Sequence, residues 1–213
     1  AGTVTRVWGQ TLYDTAAAIS EATFSPGVDR FYVASGENFP DALAGGALAA
    51  RDGAPVILVG SSSIPAASAA ELDRLNPASI VVLGGPLAVT ESVATQLGQY
   101  TTPSGQVSRI WGQSAYQTAI EISKSAYPAP GGAETVYLTT GGDFPDALAA
   151  APVAGSRNAP VLLLPSDGSL PADLAVELQR LTPQRVVIVG GELAITAGQY
   201  NAIAALLTPP TTP

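Results

Sequence analysis

Short apolar runs alternate along the chain with longer alanine-rich stretches in which apolar residues recur every three or four positions. Arg30-Phe31-Tyr32-Val33-Ala34, Pro55-Val56-Ile57-Leu58-Val59 and Ile80-Val81-Val82-Leu83 are runs of the first kind. They are continuously apolar rather than alternating, which predicts strands covered on both faces, as in a parallel sheet. Residues 11–24, 40–51, 66–75 and 90–99 carry the helical spacing. Val4 to Trp8 reads as a leading strand, and the series resumes with strands near 107–111, 135–139, 160–164 and 185–189. The order βαβαβαβα, given twice, predicts two tandem doubly wound α/β modules. Each is flavodoxin- or Rossmann-like, three-layered, with a mainly parallel sheet and right-handed crossovers.

The second series copies the first. Val4-Thr5-Arg6-Val7-Trp8-Gly9-Gln10 returns as Val107-Ser108-Arg109-Ile110-Trp111-Gly112-Gln113, and Phe39-Pro40-Asp41-Ala42-Leu43-Ala44 as Phe144-Pro145-Asp146-Ala147-Leu148-Ala149. Over three ungapped blocks (4–23, 36–58 and 64–90) the copies agree at 36 of 70 positions. A period of about 100 residues is a domain rather than a solenoid unit, so each copy is expected to own a core. The expected modules are 1–101 and 104–208, with a Pro/Thr-rich tail at 209–213.

Composition narrows the chemistry. The 213 residues include no cysteine and no histidine. That removes thiolate nucleophiles, disulfides, histidine or cysteine metal sites and the Ser-His-Asp triad. The formal charge is −8, which disfavours nucleic acid and anionic lipid as partners. No unbroken apolar run reaches the length of about 18 residues that a membrane span needs. No catalytic residue, cofactor or metal site is read from these residues.

Several repeated positions are candidates for binding. Asn38, with Asp41, and Asp143, with Asp146, stand where a strand turns into a helix; this is a capping pattern, and also the sheet edge where open α/β folds place ligands. Gly84-Gly85 and Gly190-Gly191 follow strands, where glycine permits a tight turn or offers backbone N–H groups to an anion. Trp8 and Trp111 are the only tryptophans; they can stack on sugar rings, or anchor a core or a contact between modules. Arg6 and Arg109 are the cationic candidates for phosphate or carboxylate. Tyr13 and Tyr116 open the first helix of each copy, beside a position that is Asp14 in one and Gln117 in the other.

Arg6-Val7-Trp8-Gly9, Tyr13-x-Thr15-Ala16, Asn38-Phe39-Pro40-Asp41-Ala42-Leu43 and Val82-Leu83-Gly84-Gly85, with their second copies, resemble the cell wall binding repeat 2 family over nearly the whole chain. The resemblance implies a non-catalytic extracellular module at the cell wall or cell surface. Such a module anchors Gram-positive surface proteins noncovalently to an anionic secondary wall polymer, teichoic-acid-like or another anionic glycan. It also implies an α/β fold, grouped in threes in clostridial members. Val56-Ile57-Leu58 and Val161-Leu162-Leu163 match the family's Ile-Leu-Leu motif, which is implicated in anchoring. Leu12 and Ala115 stand where many members have arginine, and two modules stand here in place of three. The alternative is a self-assembling surface-layer module, with a homo-oligomer or further copies as partner; an enzyme acting on a phosphorylated substrate is a remote third.

Overall fold

The computed structural model describes residues 2–37, 39–142 and 145–207. The binding candidates Asn38 and Asp143 and the Pro/Thr tail at 209–213 lie outside these. The chain forms two compact units, Ala1–Phe39 with Gly53–Arg109, and Pro40–Asp52 with Ile110–Pro213.

In the first unit, helix α1 (Leu12–Thr23) precedes strand β1 (Arg30–Ser35). After helix α2 (Pro40–Asp52), which belongs to the second unit, come β2 (Val56–Val59), α3 (Ala66–Leu75), β3 (Ser79–Leu83), α4 (Glu91–Leu97) and β4 (Gln106–Ile110). The sheet order is β2-β1-β3-β4, with β1 parallel to both β2 and β3. Phe31, Val33, Ile57, Val59, Leu72, Ile80 and Val82 are wholly buried and form the core between sheet and helices. Their unbroken apolar runs are what a doubly covered sheet requires.

The second unit continues with α5 (Ala115–Ala126), β5 (Thr135–Thr140), α6 (Pro145–Ser156), β6 (Val161–Leu164), α7 (Ala172–Leu181), β7 (Arg185–Val189) and α8 (Ala197–Leu207). Its sheet is β6-β5-β7, all parallel. Helix α2 packs on α6 through small residues. A Cβ added at Gly155 would collide with Ala50 Cβ and stand 2.8 Å from the Ala47 carbonyl oxygen, so the two helices touch backbone to backbone there. The far end of α2 is held by Arg51, which donates to the Ala126 carbonyl at 2.8 Å and lies over the Tyr127 ring, 5.4 Å from its centroid.

The α/β modules with parallel sheets are as expected, with one strand displaced. Val4–Trp8 is exposed and not a strand, and the element order opens on α1. Its counterpart in the second copy is β4, and β4 completes the sheet of the first unit beside β3. A strand persists where a neighbouring edge satisfies its N–H and C=O groups. Gln106–Ile110 has such an edge, whereas Val4–Trp8 remains solvated.

Candidate functional site

The repeated Trp-Gly-Gln-x-x-Tyr-x-Thr segment builds one turn twice. The Gly9 N–H donates to Thr15 Oγ1 at 3.0 Å, and the Gly112 N–H donates to Thr118 Oγ1 at 3.1 Å. A side chain at either glycine would run into the helix start, since an added Cβ would lie 2.7 Å from Thr15 N at Gly9 and 2.8 Å from Thr118 N at Gly112. This turn presents Trp8, 63% exposed, and Trp111, 45% exposed. The Asp14/Gln117 difference belongs to the same device. Thr11 caps α1 by accepting from Asp14 N at 3.2 Å, while the Asp14 carboxylate accepts from Thr11 N at 2.9 Å; Ser114 caps α5 by accepting from Gln117 N at 3.2 Å. Aspartate and glutamine both suit the third position of a capped helix, so the charge change needs no catalytic role.

Tyr13 lies against Gly36 and Tyr116 against Gly141, at the C-terminal ends of β1 and β5; an added Cβ would meet each ring at 2.7 Å. Gly84 and Gly190 both have positive φ, 100° and 131°, which only glycine adopts without strain. The carbonyls of Gly85 and Gly191 accept from Val89 N and Ile195 N, each at 3.0 Å, closing the loops that follow. Asp146 is drawn to Gly190, where an added Cβ would stand 2.8 Å from its Oδ2. Asp41 is buried at the start of α2. Burial pushes its carboxyl above the ordinary carboxylate range, and a hydrogen bond from Thr118 draws it partly back.

Of the arginine candidates, Arg6 is exposed. Arg109 is half-buried on the first unit: it donates to the Gly84 carbonyl at 2.8 Å and pairs with Glu91 at 3.3 Å. The motif residues Ile57, Val161, Leu162 and Leu163 are buried in the sheets, and Val56 and Leu58 half-buried.

Sequence reasoning passed over two features. Leu87 and Leu193, at matching positions after the diglycine, are fully exposed. Glu71 with Arg74, and Glu177 with Arg180, form the same ion pair of a buried glutamate and a half-buried arginine in each copy, each with an Arg Nε–Glu Oε2 distance of 2.7 Å. Each arginine then reaches the end of the first helix of its repeat, at the Phe24 carbonyl (3.0 Å) and the Tyr127 carbonyl (2.7 Å). Their identity in both copies was the available signal.

A groove of about 410 Å³ lies beside α5, bounded by Trp111, Gly112, Gln113, Gln117, Ile120, Glu121, Lys124 and Asp173. The corresponding groove of the first unit, about 310 Å³, has Asp14, Ala17, Ala18, Glu21, Ala67, Ala70, Glu71 and Arg74. There Ala18 and Ala67 stand at the positions of Glu121 and Asp173, Glu21 stands at that of Lys124, and no aromatic residue lines it. The second groove therefore combines an exposed indole face, two side-chain amides and charges of both signs. Among the described residues, no group of three or more acidic side chains is placed to hold a metal ion, and no helix is long and apolar enough to cross a membrane.

A family model, cell wall binding domain 2 (CWB2), matches residues 6–94 and again residues 109–199. The chain belongs to the CWB2 family. Its two repeats are CWB2 domains, whose common property is binding to the cell wall. It is 27% identical to the amidase enhancer of Bacillus subtilis (strain 168) over 198 residues, covering 93% of this chain and 26% of the relative. It is 36% identical over 100 residues to the N-acetylmuramoyl-L-alanine amidase LytC of the same organism, covering 47% of this chain and 19% of the relative. The chain thus spans about a quarter or less of these relatives. Among solved structures it resembles Cwp6 from Clostridium difficile, with TM-score 0.84, 25% identity and coverage of 94% of this chain and 31% of the other. Cwp8 from the same organism shares the fold, with TM-score 0.80, 23% identity and coverage of 93% and 33%.

Proposed function

We propose that this CWB2 pair holds a larger surface protein on the cell wall, outside the cell, by gripping a secondary wall glycopolymer without changing it. The observation that carries the reading is Trp111, exposed on the rim of the α5 groove beside Gln113 and Gln117. An indole face stacks on the C–H face of a sugar while amides read its hydroxyls. The groove's charges, Glu121 and Asp173 against Lys124, nearly balance, so the sugar rather than a phosphate supplies most of the recognition. Arg74, Arg109 and Arg180 are already engaged by internal carboxylates and carbonyls. An anionic polymer is therefore held with a shallow dependence on salt. Two copies on one chain add avidity where both reach the same polymer.

The test is cosedimentation with purified walls, intact and stripped of secondary polymers. Intact walls retain the chain, stripped walls do not, and Trp111→Ala lowers retention at least tenfold while leaving the circular dichroism spectrum unchanged. Full retention by Trp111→Ala refutes the groove, and retention on stripped walls refutes the polymer. Release of wall fragments by the chain alone refutes the non-catalytic reading.

A further inference from the structure

Strand β3 and strand β7 are the same element in two copies, and they differ in one respect. Beside β3 lies β4, and Ile80, Val82 and Leu83 are wholly buried. Among the described residues, the sheet ends on the far side of β7 from β5, and Val186, Val187, Ile188 and Val189 are all half-exposed. An apolar edge strand left open is a template for another strand. The segment that fills this place on β3 is Gln106–Ile110, the leading segment of a repeat, fixed by Arg109 on the Gly84 carbonyl.

The chain carries a second leading segment of the same kind. Val4, Arg6, Trp8, Gly9 and Gln10 are identical to Val107, Arg109, Trp111, Gly112 and Gln113, and Val7 stands for Ile110. In its present place that segment is solvated: Val4 is fully exposed, Val7 46% and Trp8 63%. Arg6 is exposed, and Gly190, the counterpart of Gly84, has the same positive-φ conformation.

We infer that a second copy of this chain supplies its Val4–Trp8 segment as the fourth strand of the β6-β5-β7 sheet. Its Arg6 then takes the Gly190 carbonyl as Arg109 takes that of Gly84. Main-chain hydrogen bonds provide the affinity, and burial of Val4 and Val7 selects the register. Each copy owns one donor segment and one acceptor edge. Copies therefore either exchange strands reciprocally as a dimer or add head to tail into larger species.

The experiment is sedimentation equilibrium from micromolar to millimolar concentration, on the intact chain and on a variant lacking residues 1–7. The intact chain is expected to gain mass with concentration to at least two copies, and the shortened chain to stay at one. A fluorescent peptide of residues 2–11 is expected to bind the shortened chain saturably, and the same peptide carrying both Arg6→Pro and Val7→Pro to bind at least tenfold more weakly, since adjacent strand N–H groups point to opposite sides and one of the two must face β7. An intact chain of single mass throughout the range overturns a second copy as the occupant. Association that survives the deletion, or a doubly proline-substituted peptide that binds as well as its parent, overturns strand addition. Because residues 2–7 are all exposed where they stand, the deletion leaves both cores in place.

Discussion

Replacing Arg180 by leucine isolates what the repeated glutamate–arginine pair does for the fold. The change removes the Arg Nε–Glu177 Oε2 and Nη2–Glu177 Oε1 hydrogen bonds, both 2.7 Å, and the donations to the Tyr127 and Ala129 carbonyls at 2.7 and 3.2 Å. Glu177 is only 1% exposed, and its remaining partner is Ser123 Oγ at 2.5 Å. A charge orphaned in this way costs about 3–5 kcal/mol, and the lower end applies because the arginine side chain keeps 21% exposure and water reaches the pair from that side. With a urea slope of about 1.5 kcal/mol/M for a unit of this size, a loss of about 3 kcal/mol moves the midpoint down by about 2 M. Trp111 lies in the second unit and Trp8 in the first. A Trp8→Phe background therefore lets fluorescence report the second unit alone, which avoids forcing one transition on two units. Adding Glu177→Gln removes the stranded charge while keeping an acceptor for Ser123, and most of the loss is expected to return. A single variant costing less than about 1 kcal/mol, or a double variant no better than the single, refutes the orphaned-charge reasoning.

Gly155→Val forces two methyl groups into the α2–α6 contact, where an added Cβ already stands 2.8 Å from the Ala47 carbonyl oxygen; the overpacking is expected to cost about 1–3 kcal/mol or more by urea titration, and an unchanged midpoint refutes the close approach. Asp41→Asn is expected to raise the thermal midpoint at pH 7, because burial lifts the Asp41 carboxyl above its ordinary value of 3.8 and its charged form then weighs against the fold. By linkage, that penalty is present above the raised value and is relieved as the pH falls through it, so the advantage of asparagine closes in acid. A difference independent of pH refutes the assignment to Asp41.

The strands and helices of each repeat were legible because a doubly covered sheet leaves an unmistakable run of apolar residues, as in Phe31–Ala34 and Val161–Leu164. The repeat was legible by self-comparison alone. The departure at Val4–Trp8 has an instructive cause. Its sequence is nearly that of β4, yet only one of the two is a strand. Helical residues find their hydrogen-bond partners within their own segment, so local spacing can specify a helix. A strand finds them on another segment, so the same residues are strand beside β3 and solvated chain elsewhere. The candidate site divides along the same line. Gly9 and Gly112, with Thr15 and Thr118, act locally, six positions apart, and recur in both copies. The groove at Trp111 depends on α5 and on Asp173 at the start of α7, a separation of some sixty positions that no motif announces. Glu177 and Arg180 were visible as repeated residues, but their purpose rests on the Tyr127 carbonyl, fifty positions away. Duplication thus marks which residues matter, while the partners that give them a role belong to the folded chain. Equal sequence in the two copies is no warrant for equal function: an indole lines the second groove and none lines the first, so wall binding should be tested on each copy separately.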